Sequence, residues 1–275
     1  MVTQEQRKRQ LAREKFLRQQ QRRTSARRKA RMRNSVIASV LGVIVIGSVL
    51  LYTTNVLKGN DDKSNASADV TPTPSASATK KAPDPCAKPA AGKIKTATWK
   101  KEPAVTIDKS AKYTMKLATT CGDIDIALKT SAAPHTVNSF DFLAGKGFFD
   151  HTKCHRLTTN GIYVLQCGDP TGAGSGGPGY TIPDENLKDT SLKGGVYPAG
   201  TVAMANTGQK HTGGSQFFLV YKDSQLPASY TPFGTVSASG MKVLQKIAAA
   251  GESTGAGDGA PNATVVINKA TVTES

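Results

Sequence analysis

The chain has 275 residues, a formal net charge of +16 at pH 7 and an isoelectric point near 9.8. Residues 1–34 carry a net charge of +11 and the rest of the chain only +5, so the basic excess is concentrated in an N-terminal arm. This distribution weighs against a nucleic-acid-binding surface spread over the whole protein. The length allows one domain of ordinary size with attached segments.

The arm, residues 1–34, is rich in Arg, Gln and Ala and has few apolar residues. It has no broad apolar face and is therefore predicted to be a solvated, partly helical tail. A compatible interpretation is that its basic residues bind anionic lipid at a membrane surface. Binding of DNA by the arm is a third interpretation, which an adjacent membrane-spanning segment disfavours.

The next segment, residues 35–57, has no charged residue and is nearly all aliphatic between Val36 and Tyr52. Such a run can cross a hydrocarbon core of roughly 30 Å as a helix. A cleavable signal peptide is the main alternative, but its basic region is normally short and a small-residue cleavage site normally follows. We therefore predict an uncleaved signal anchor. The positive-inside rule places the arm in the cytoplasm and the chain after Lys58 on the outer side of the cell membrane.

Residues 58–104 are dominated by Ser, Ala, Thr, Pro, Lys and Asp. A segment of this composition buries little apolar surface, and its prolines keep it extended, so it is predicted to be a linker between membrane and domain. The single tryptophan, Trp99, lies near its end, where packing is expected to begin.

Strand patterns dominate residues 105–275. Short apolar or alternating runs predict strands at 113–117, 124–128, 202–205, 217–221 and 265–272. Two helices are predicted, one opened by Pro134 and closed by Gly145 and Gly147, the other over residues 241–250. The pattern therefore predicts a mainly β domain with two helices.

The stretch between Cys154 and Asn186 combines two short apolar strands with a glycine-rich loop. The first strand carries Arg156, and the second begins with Tyr163 after a turn. A partly buried guanidinium needs polar partners or a function. An arginine on one strand beside an aromatic residue on the returning strand predicts a cationic donor over an apolar pocket.

Three blocks of sequence in this domain resemble the cyclophilin-type peptidyl-prolyl isomerases. The first is the stretch just described, the second combines residues 202–206 with 213–218, and the third is residues 231–234. They occur in the family's order and at compatible spacing, and the resemblance covers about residues 105–273.

The resemblance implies a closed antiparallel barrel of eight strands with a helix at each end. It also implies isomerisation of X-Pro bonds with Arg156 as the catalytic cation. Further residues would bind the substrate: Tyr163, Val164, Phe218 and Leu226 as the proline slot, Gln166 orienting the guanidinium, Ala205, Asn206 and Gln216 on the peptide backbone, and Tyr230 at the border. Phe217, by contrast, is expected to belong to the core rather than to the site. His155 is expected to support its strand by hydrogen bonding.

The chain departs from the family pattern at several of these positions. Tyr163 stands where members usually have Phe, Val164 where they have Met, and Tyr230 where His is common. Gln225 precedes Leu226 where many members have a Trp that contacts cyclosporin-like cyclic peptides. Catalytic activity is expected to survive these changes, whereas tight binding of such cyclic peptides is not implied.

The four cysteines are Cys86, Cys121, Cys154 and Cys167. Cys154 and Cys167 are symmetric about the Asn160–Gly161 turn, so a simple hairpin would bring their Cβ atoms near disulfide distance. Cys86–Cys121 would then pin the end of the linker to the barrel. The alternative is that Cys154 and Cys167 are buried thiols. No C-x-x-C pair points to zinc or to redox catalysis.

The remaining motifs in the sequence do not indicate a cofactor or a metal ion, and neither is predicted. Residues 172–177 match G-x-G-x-x-G, but Pro178 follows at once and no dinucleotide-binding helix can start there. The four histidines form no H-E-x-x-H motif, and no G-x-S-x-G element supplies a nucleophile.

These observations predict a membrane-anchored peptidyl-prolyl isomerase that acts on exported, proline-containing polypeptides outside the membrane and assists their folding. No nucleic-acid partner is expected. The alternative is a module that binds proline-containing peptides as a chaperone or adaptor with little turnover.

Overall fold

A computed structural model describes residues 83–275 of the chain. The basic arm, the predicted membrane-spanning segment 35–57 and residues 58–82 of the linker lie outside the described residues. Among residues 83–275, no helix has both the length and the apolar character needed to cross a membrane.

The described part of the chain is mainly β, with two α-helices and a 3₁₀ turn at Lys193–Gly195. The helices are α1 (Pro134–Gly145) and α2 (Ala238–Ala249). The strands are β1 (Tyr113–Thr119), β2 (Gly122–Leu128), β3 (Thr152–Lys153), β4 (Arg156–Thr158), β5 (Val164–Cys167), β6 (Val196–Tyr197), β7 (Thr201–Met204), β8 (Phe217–Val220), β9 (Ser224–Gln225), β10 (Pro232–Val236), β11 (Asp258–Gly259) and β12 (Val266–Glu274).

Ten strands form one antiparallel sheet in the order β11-β4-β5-β8-β7-β10-β2-β1-β12-β3, and β6 pairs with β9 separately. The sheet must curl strongly, because β3 at one end and β4 near the other are separated in the chain only by Cys154 and His155. The mainly β architecture with two helices agrees with the prediction. The strand count does not: the sheet has ten strands rather than eight, and its order has two ends.

The alternation of inward apolar residues with outward residues explains why β1 and β2 form where they do. β1 and β2 pair in antiparallel register, and their inward residues Met115, Leu117, Ile124 and Ile126 are fully buried. Side chains of a strand point alternately to the two faces of the sheet, so this apolar alternation fixes which face becomes the core.

The two helices begin at sequence signals that favour helix starts. Pro134 occupies the first turn of α1, where its missing N–H costs no hydrogen bond. The Glu185 carboxylate accepts hydrogen bonds from the N–H groups of His135 and Thr136 at 3.1 and 2.9 Å, and so caps this helix. Helix α2 begins three residues before its predicted start, because the Ser237 hydroxyl caps it by accepting from the Gly240 N–H.

Phe140 of α1 occupies the centre of the main core. Its ring lies 4.6 Å from Phe233, 5.3 Å from Phe149 and 5.5 Å from Phe217, measured between ring centroids. All four rings are completely buried. Phe217 therefore belongs to the core.

Residues 83–112, which we call the strap, have no regular secondary structure but pack on the sheet. Cys86 forms a disulfide with Cys121, and the Trp99 N–H donates to the Pro178 carbonyl at 2.8 Å. The Trp99 ring contacts Phe142 edge-on at 5.1 Å. The predicted linker therefore makes ordered contacts with the domain before residue 105, where the sequence predicts the domain to begin.

The Cys86–Cys121 disulfide is expected to stabilise the fold, because it shortens the unfolded chain across a sequence separation of 35 residues. Replacing both cysteines by Ala in the full chain should lower the free energy of unfolding by about 2–4 kcal/mol. Urea unfolding followed by Trp99 fluorescence would measure the change. Ile94→Ala, an exposed position on the same strap, is the control and should have little effect. A double variant as stable as the parent would contradict this role.

Candidate active site

A cavity of about 570 Å³, which we call the arginine cavity, opens beside β4, β5 and β8. Nine residues predicted from the sequence line it: His155, Arg156, Val164, Gln166, Ala205, Asn206, Phe218, Leu226 and Tyr230. The structure also places Ile162, Asp258 and the loop residues Ala173 and Gly174 on its wall.

Strand register brings the central residues together. Arg156 of β4 pairs with Gln166 of β5, Gln166 pairs with Phe218 of β8, and Phe218 pairs with Ala203 of β7. Directly paired residues in antiparallel strands project their side chains to the same face. Arg156, Gln166 and Phe218 therefore form one row across three strands, although they are far apart in the sequence.

The Arg156 guanidinium is held by two partners. Its Nε and one Nη donate to the two carboxylate oxygens of Asp258 at 2.7 and 2.8 Å, and its other Nη donates to Oε1 of Gln166 at 3.1 Å. A two-point contact of this kind fixes the plane of a guanidinium as well as its position. Pairing with Asp258 raises the pKa of Arg156, so the cation persists at all physiological pH values.

Asp258 was not found by sequence reasoning. It lies on the two-residue strand β11, opposite Thr158 of β4, about one hundred residues after Arg156. Its only sequence signal is a glycine-rich stretch, 251–259, that also contains Glu252 and resembles many surface loops. The hydrogen bonds from Arg156 lower the pKa of Asp258, so this partner is ionised at neutral pH.

A chain of side-chain amides continues from Arg156 toward the glycine-rich loop. Gln166 Nε2 donates to Oε1 of Gln216 at 2.9 Å, and Gln216 Nε2 donates to the carbonyl of Gly176 at 2.9 Å. Gln216 itself lines the neighbouring cavity rather than the arginine cavity. The carboxamide of Gln166 is thereby oriented with its oxygen toward the guanidinium.

The apolar side of the arginine cavity belongs to a hydrophobic cluster separate from the main core. Val164, Tyr197, Ala203, Phe218 and Val220 form this cluster. The Phe218 and Tyr230 rings meet edge-on with centroids 5.4 Å apart, and the Tyr197 hydroxyl donates to the Tyr230 carbonyl at 2.8 Å. The apolar wall is therefore fixed by packing and by hydrogen bonding.

Tyr163 does not line the arginine cavity, contrary to the prediction. Its ring packs edge-on against Tyr221 at 5.9 Å, with Lys222 Nζ 4.5 Å above its centroid. Ile162 lines the cavity instead. The reason is the two-residue period of the strand: since Val164 faces the cavity, Tyr163 must face away. Counting the period back from Val164 would have identified Ile162.

His155 also differs from its predicted role, because neither ring nitrogen has a hydrogen-bond partner among the described residues. Burial lowers the pKa of His155, and the nearby Arg156 and Lys153 lower it further, against an opposing effect of Asp169. The imidazole is therefore neutral at pH 7. It contributes apolar surface to the cavity wall instead of a strand-supporting hydrogen bond.

The strap cavity, a second cavity of about 760 Å³, adjoins the arginine cavity and shares Gln166, Gly174, Ala205 and Asn206 with it. The Asn206 side chain donates to the Ser229 carbonyl at 2.8 Å and accepts from the Gly208 N–H at 2.9 Å. The Ala205 N–H donates to the Gln216 carbonyl at 2.9 Å.

The loop between the two cavities is organised by the buried carboxylate of Asp169. It accepts hydrogen bonds from the N–H groups of Thr171, Gly174 and Ser175, at 2.7, 2.6 and 3.0 Å. Burial alone would raise the pKa of Asp169, but these hydrogen bonds and one from the Thr171 hydroxyl outweigh it, and the pKa is lowered.

Both predicted disulfides are present, and no described cysteine is free. Cys154–Cys167 joins a residue two positions before Arg156 to the residue directly after Gln166. Among residues 83–275, no group of three or more His, Cys, Asp or Glu side chains is arranged to hold a metal ion.

Comparisons with known proteins agree on one family. The family model for cyclophilin type peptidyl-prolyl cis-trans isomerases matches residues 114–272. Probable peptidyl-prolyl cis-trans isomerase B of Mycobacterium leprae is 49% identical over 195 residues, which are 68% of this chain and 62% of that protein. The chain therefore spans less than two thirds of that relative.

Two further proteins are matched over most of their own length. Peptidyl-prolyl cis-trans isomerase B of Bacillus subtilis is 41% identical over 125 residues, which are 45% of this chain and 82% of that protein. A crystal structure of a Cryptosporidium parvum cyclophilin type peptidyl-prolyl cis-trans isomerase aligns with a TM-score of 0.48 and 24% identity, covering 60% of this chain and 99% of that one.

The lowered pKa of Asp169 predicts a pH dependence of stability. The hydrogen-bonded carboxylate contributes stability at pH values above the ordinary Asp pKa of about 3.9, and that stability is lost as the pH falls through the lower pKa of the folded state. Asp169→Asn should therefore be less stable than the parent at pH 7, with the difference shrinking below about pH 4. Denaturant unfolding across pH 3–7 would measure it. A difference that stays constant with pH would exclude this assignment.

Proposed function

Because this chain belongs to the cyclophilin-type peptidyl-prolyl cis-trans isomerase family, we propose that it catalyses cis–trans isomerisation of X-Pro bonds in polypeptides. The observation that carries the proposal is the Arg156 guanidinium, fixed by Asp258 and Gln166 on the wall of a cavity whose other side is apolar.

The chemistry requires no covalent step. Rotation about a peptide bond has a barrier of about 18–20 kcal/mol, because the twisted state loses amide resonance. In that state the prolyl nitrogen becomes pyramidal and gains a lone pair. A donor aimed at this nitrogen stabilises the twisted state more than either planar state, which is differential binding of the transition state.

Arg156 has the donors that this mechanism needs. A guanidinium carries five N–H groups, and the hydrogen bonds to Asp258 and Gln166 use three of them. Two N–H groups remain for a substrate. Because the two partners already fix the guanidinium plane, no reorientation of the side chain is needed when the prolyl nitrogen becomes basic.

The remaining residues supply binding. Ile162, Val164, Phe218, Leu226 and Tyr230 would enclose the proline ring, since they form the apolar wall beside Arg156. Asn206, Ala205 and Gln216 would hold the peptide backbone along the border of the two cavities.

Exported polypeptides at the outer face of the membrane are the proposed substrates. The uncharged segment 35–57 with its basic flank supports a signal anchor whose following chain is exported. The two disulfides, Cys86–Cys121 and Cys154–Cys167, support an oxidising compartment for the domain.

Replacing Arg156 tests the mechanism. Arg156→Ala should lower kcat/KM for an X-Pro peptide by about 10²–10³-fold, the typical effect of removing a transition-state donor. Arg156→Lys keeps the charge but loses the fork and should recover only part of the rate. NMR exchange between the cis and trans forms of the peptide would measure turnover. Titration calorimetry should still detect peptide binding to both variants.

The outcomes separate the two functional hypotheses. A parent protein that binds the peptide without accelerating its exchange would favour the binding module over the isomerase. Wild-type turnover by Arg156→Ala would refute the mechanism while leaving isomerase activity intact.

Asp258 is expected to act as a positioning residue for Arg156. Asp258→Asn preserves the size of the side chain but removes the ionic two-point contact, so kcat should fall roughly tenfold or less, while KM changes little. Asp258→Glu, which keeps the carboxylate, should retain more activity than the Asn variant. The matched control is Asp123→Asn. This change removes an exposed carboxylate on β2 that is paired with Lys116 of β1. An unchanged kcat in Asp258→Asn would show that Gln166 alone positions the cation.

A further inference from the structure

The strap cavity has a wall that comes from outside the curled sheet. Most of its lining is the glycine-rich loop 174–181 and the segments 205–207 and 212–216. The rest is contributed by Gln166 and by Lys100, Lys101 and Glu102 of the strap. The segment that joins this domain to the predicted membrane anchor therefore forms part of a cavity beside the proposed catalytic arginine.

The strap wall is positively charged. Lys100 and Lys101 are exposed, and neither forms an ion pair with any residue in 83–275. Glu102 is the only acidic residue of the lining, and its carboxylate is already bonded to His135 Nδ1 at 2.7 Å. The other lining residues are uncharged, so the lining carries two ammonium groups against one carboxylate and has a net positive charge.

The path of the strap beside this cavity is fixed on both sides of the lysines. On one side, the Trp99 N–H donates to the Pro178 carbonyl, and the Trp99 ring packs on Phe142 and Phe148. On the other side, Glu102 bonds to His135. The strap also lies so close to Gly179, whose φ is +88°, that a Cβ atom there would lie 2.8 Å from the Trp99 carbonyl oxygen.

We propose that Lys100 and Lys101 determine substrate specificity, by making the strap cavity a site for an acidic side chain of the same polypeptide whose proline occupies the arginine cavity. This inference rests on the proposed function of the arginine cavity. An ammonium group without a partner gains a Coulombic contact from a carboxylate, whereas a neutral or basic side chain gains none or is repelled.

Chain geometry specifies where the acidic residue lies in the substrate. An extended peptide rises about 3.3 Å per residue, and its side chains alternate between two faces. A residue two positions from the proline therefore projects to the same face as the proline ring, displaced along the peptide by about 6.6 Å. The wall shared by the two cavities includes Ala205 and Gly174. These residues are small and leave room for the peptide to run from one cavity into the other.

The test uses the full chain and peptides with one X-Pro bond and either Glu or Gln two positions before or two positions after the proline. Turnover by NMR exchange and affinity by calorimetry are measured for each. At low salt the Glu peptide of one pair should exceed its Gln partner about three- to tenfold in kcat/KM and in affinity, the range of one or two exposed ion pairs. At 1 M NaCl, where the screening length is about 3 Å, the preference should largely disappear.

Variants identify the source of the preference. In Lys100→Ala/Lys101→Ala the Glu-to-Gln ratio should fall close to one, and in Lys100→Glu/Lys101→Glu it should fall below one. Lys93→Ala/Lys109→Ala removes two exposed lysines of the same strap that line neither cavity, and it should keep the parent's ratio.

The results distinguish this inference from the function on which it rests. Equal values for Glu and Gln peptides at both positions, with normal turnover of the Gln peptides, would overturn the acidic specificity and leave the isomerase standing. A Glu preference in affinity without accelerated exchange would support the basic wall and overturn the isomerase. A preference that persists in the Lys100→Ala/Lys101→Ala variant would also overturn the assignment to these lysines.

Discussion

The arginine cavity depends on the two-point contact between Arg156 and Asp258. A guanidinium on a flexible side chain can adopt many orientations, and a hydrogen bond to one nitrogen would leave several of them open. Two parallel hydrogen bonds to Asp258 and a third to Gln166 leave one orientation. The ion pair is partly exposed, with 36% of the Arg156 side chain accessible, so its contribution to the stability of the fold is small and its main effect is on geometry.

The antiparallel sheet makes this contact possible because it converts distant sequence positions into neighbours. Register places Arg156, Gln166 and Phe218 in one row, and it brings the two-residue strand β11 with Asp258 against β4. The Cys154–Cys167 disulfide joins a residue two positions before Arg156 to the residue directly after Gln166. The aromatic residues of the apolar wall form a cluster distinct from the main core around Phe140, so their packing is separate from the packing that holds most of the sheet together.

The strap adds an ordered segment with charged side chains to the wall of the strap cavity. A segment rich in Lys, Ala and Pro cannot order itself, because it buries too little apolar surface to offset the loss of chain entropy. Here the entropy cost is offset locally by the Cys86–Cys121 disulfide, by the Trp99 ring on α1, and by hydrogen bonds to turns, loops and β12 of the domain. Order in the strap is therefore imposed by the domain, and the strap in turn supplies charged side chains to the cavity beside Arg156.

The sequence by itself predicted the β-rich architecture with two helices, because that architecture follows from local periods. Symmetric spacing about one turn favoured the Cys154–Cys167 disulfide over buried thiols, and the structure contains it. The family resemblance, carried by motifs whose residues are adjacent in the chain, proposed Arg156 and most of the apolar residues that the structure places on the wall of the arginine cavity. Tertiary structure decided the rest. Tyr163 faces away from the cavity because neighbouring strand residues point to opposite faces, and Ile162 takes its place. Asp258 and the strap lysines reach the site only through long-range pairing and packing, and no local pattern encodes which distant carboxylate or ammonium group will meet a given strand.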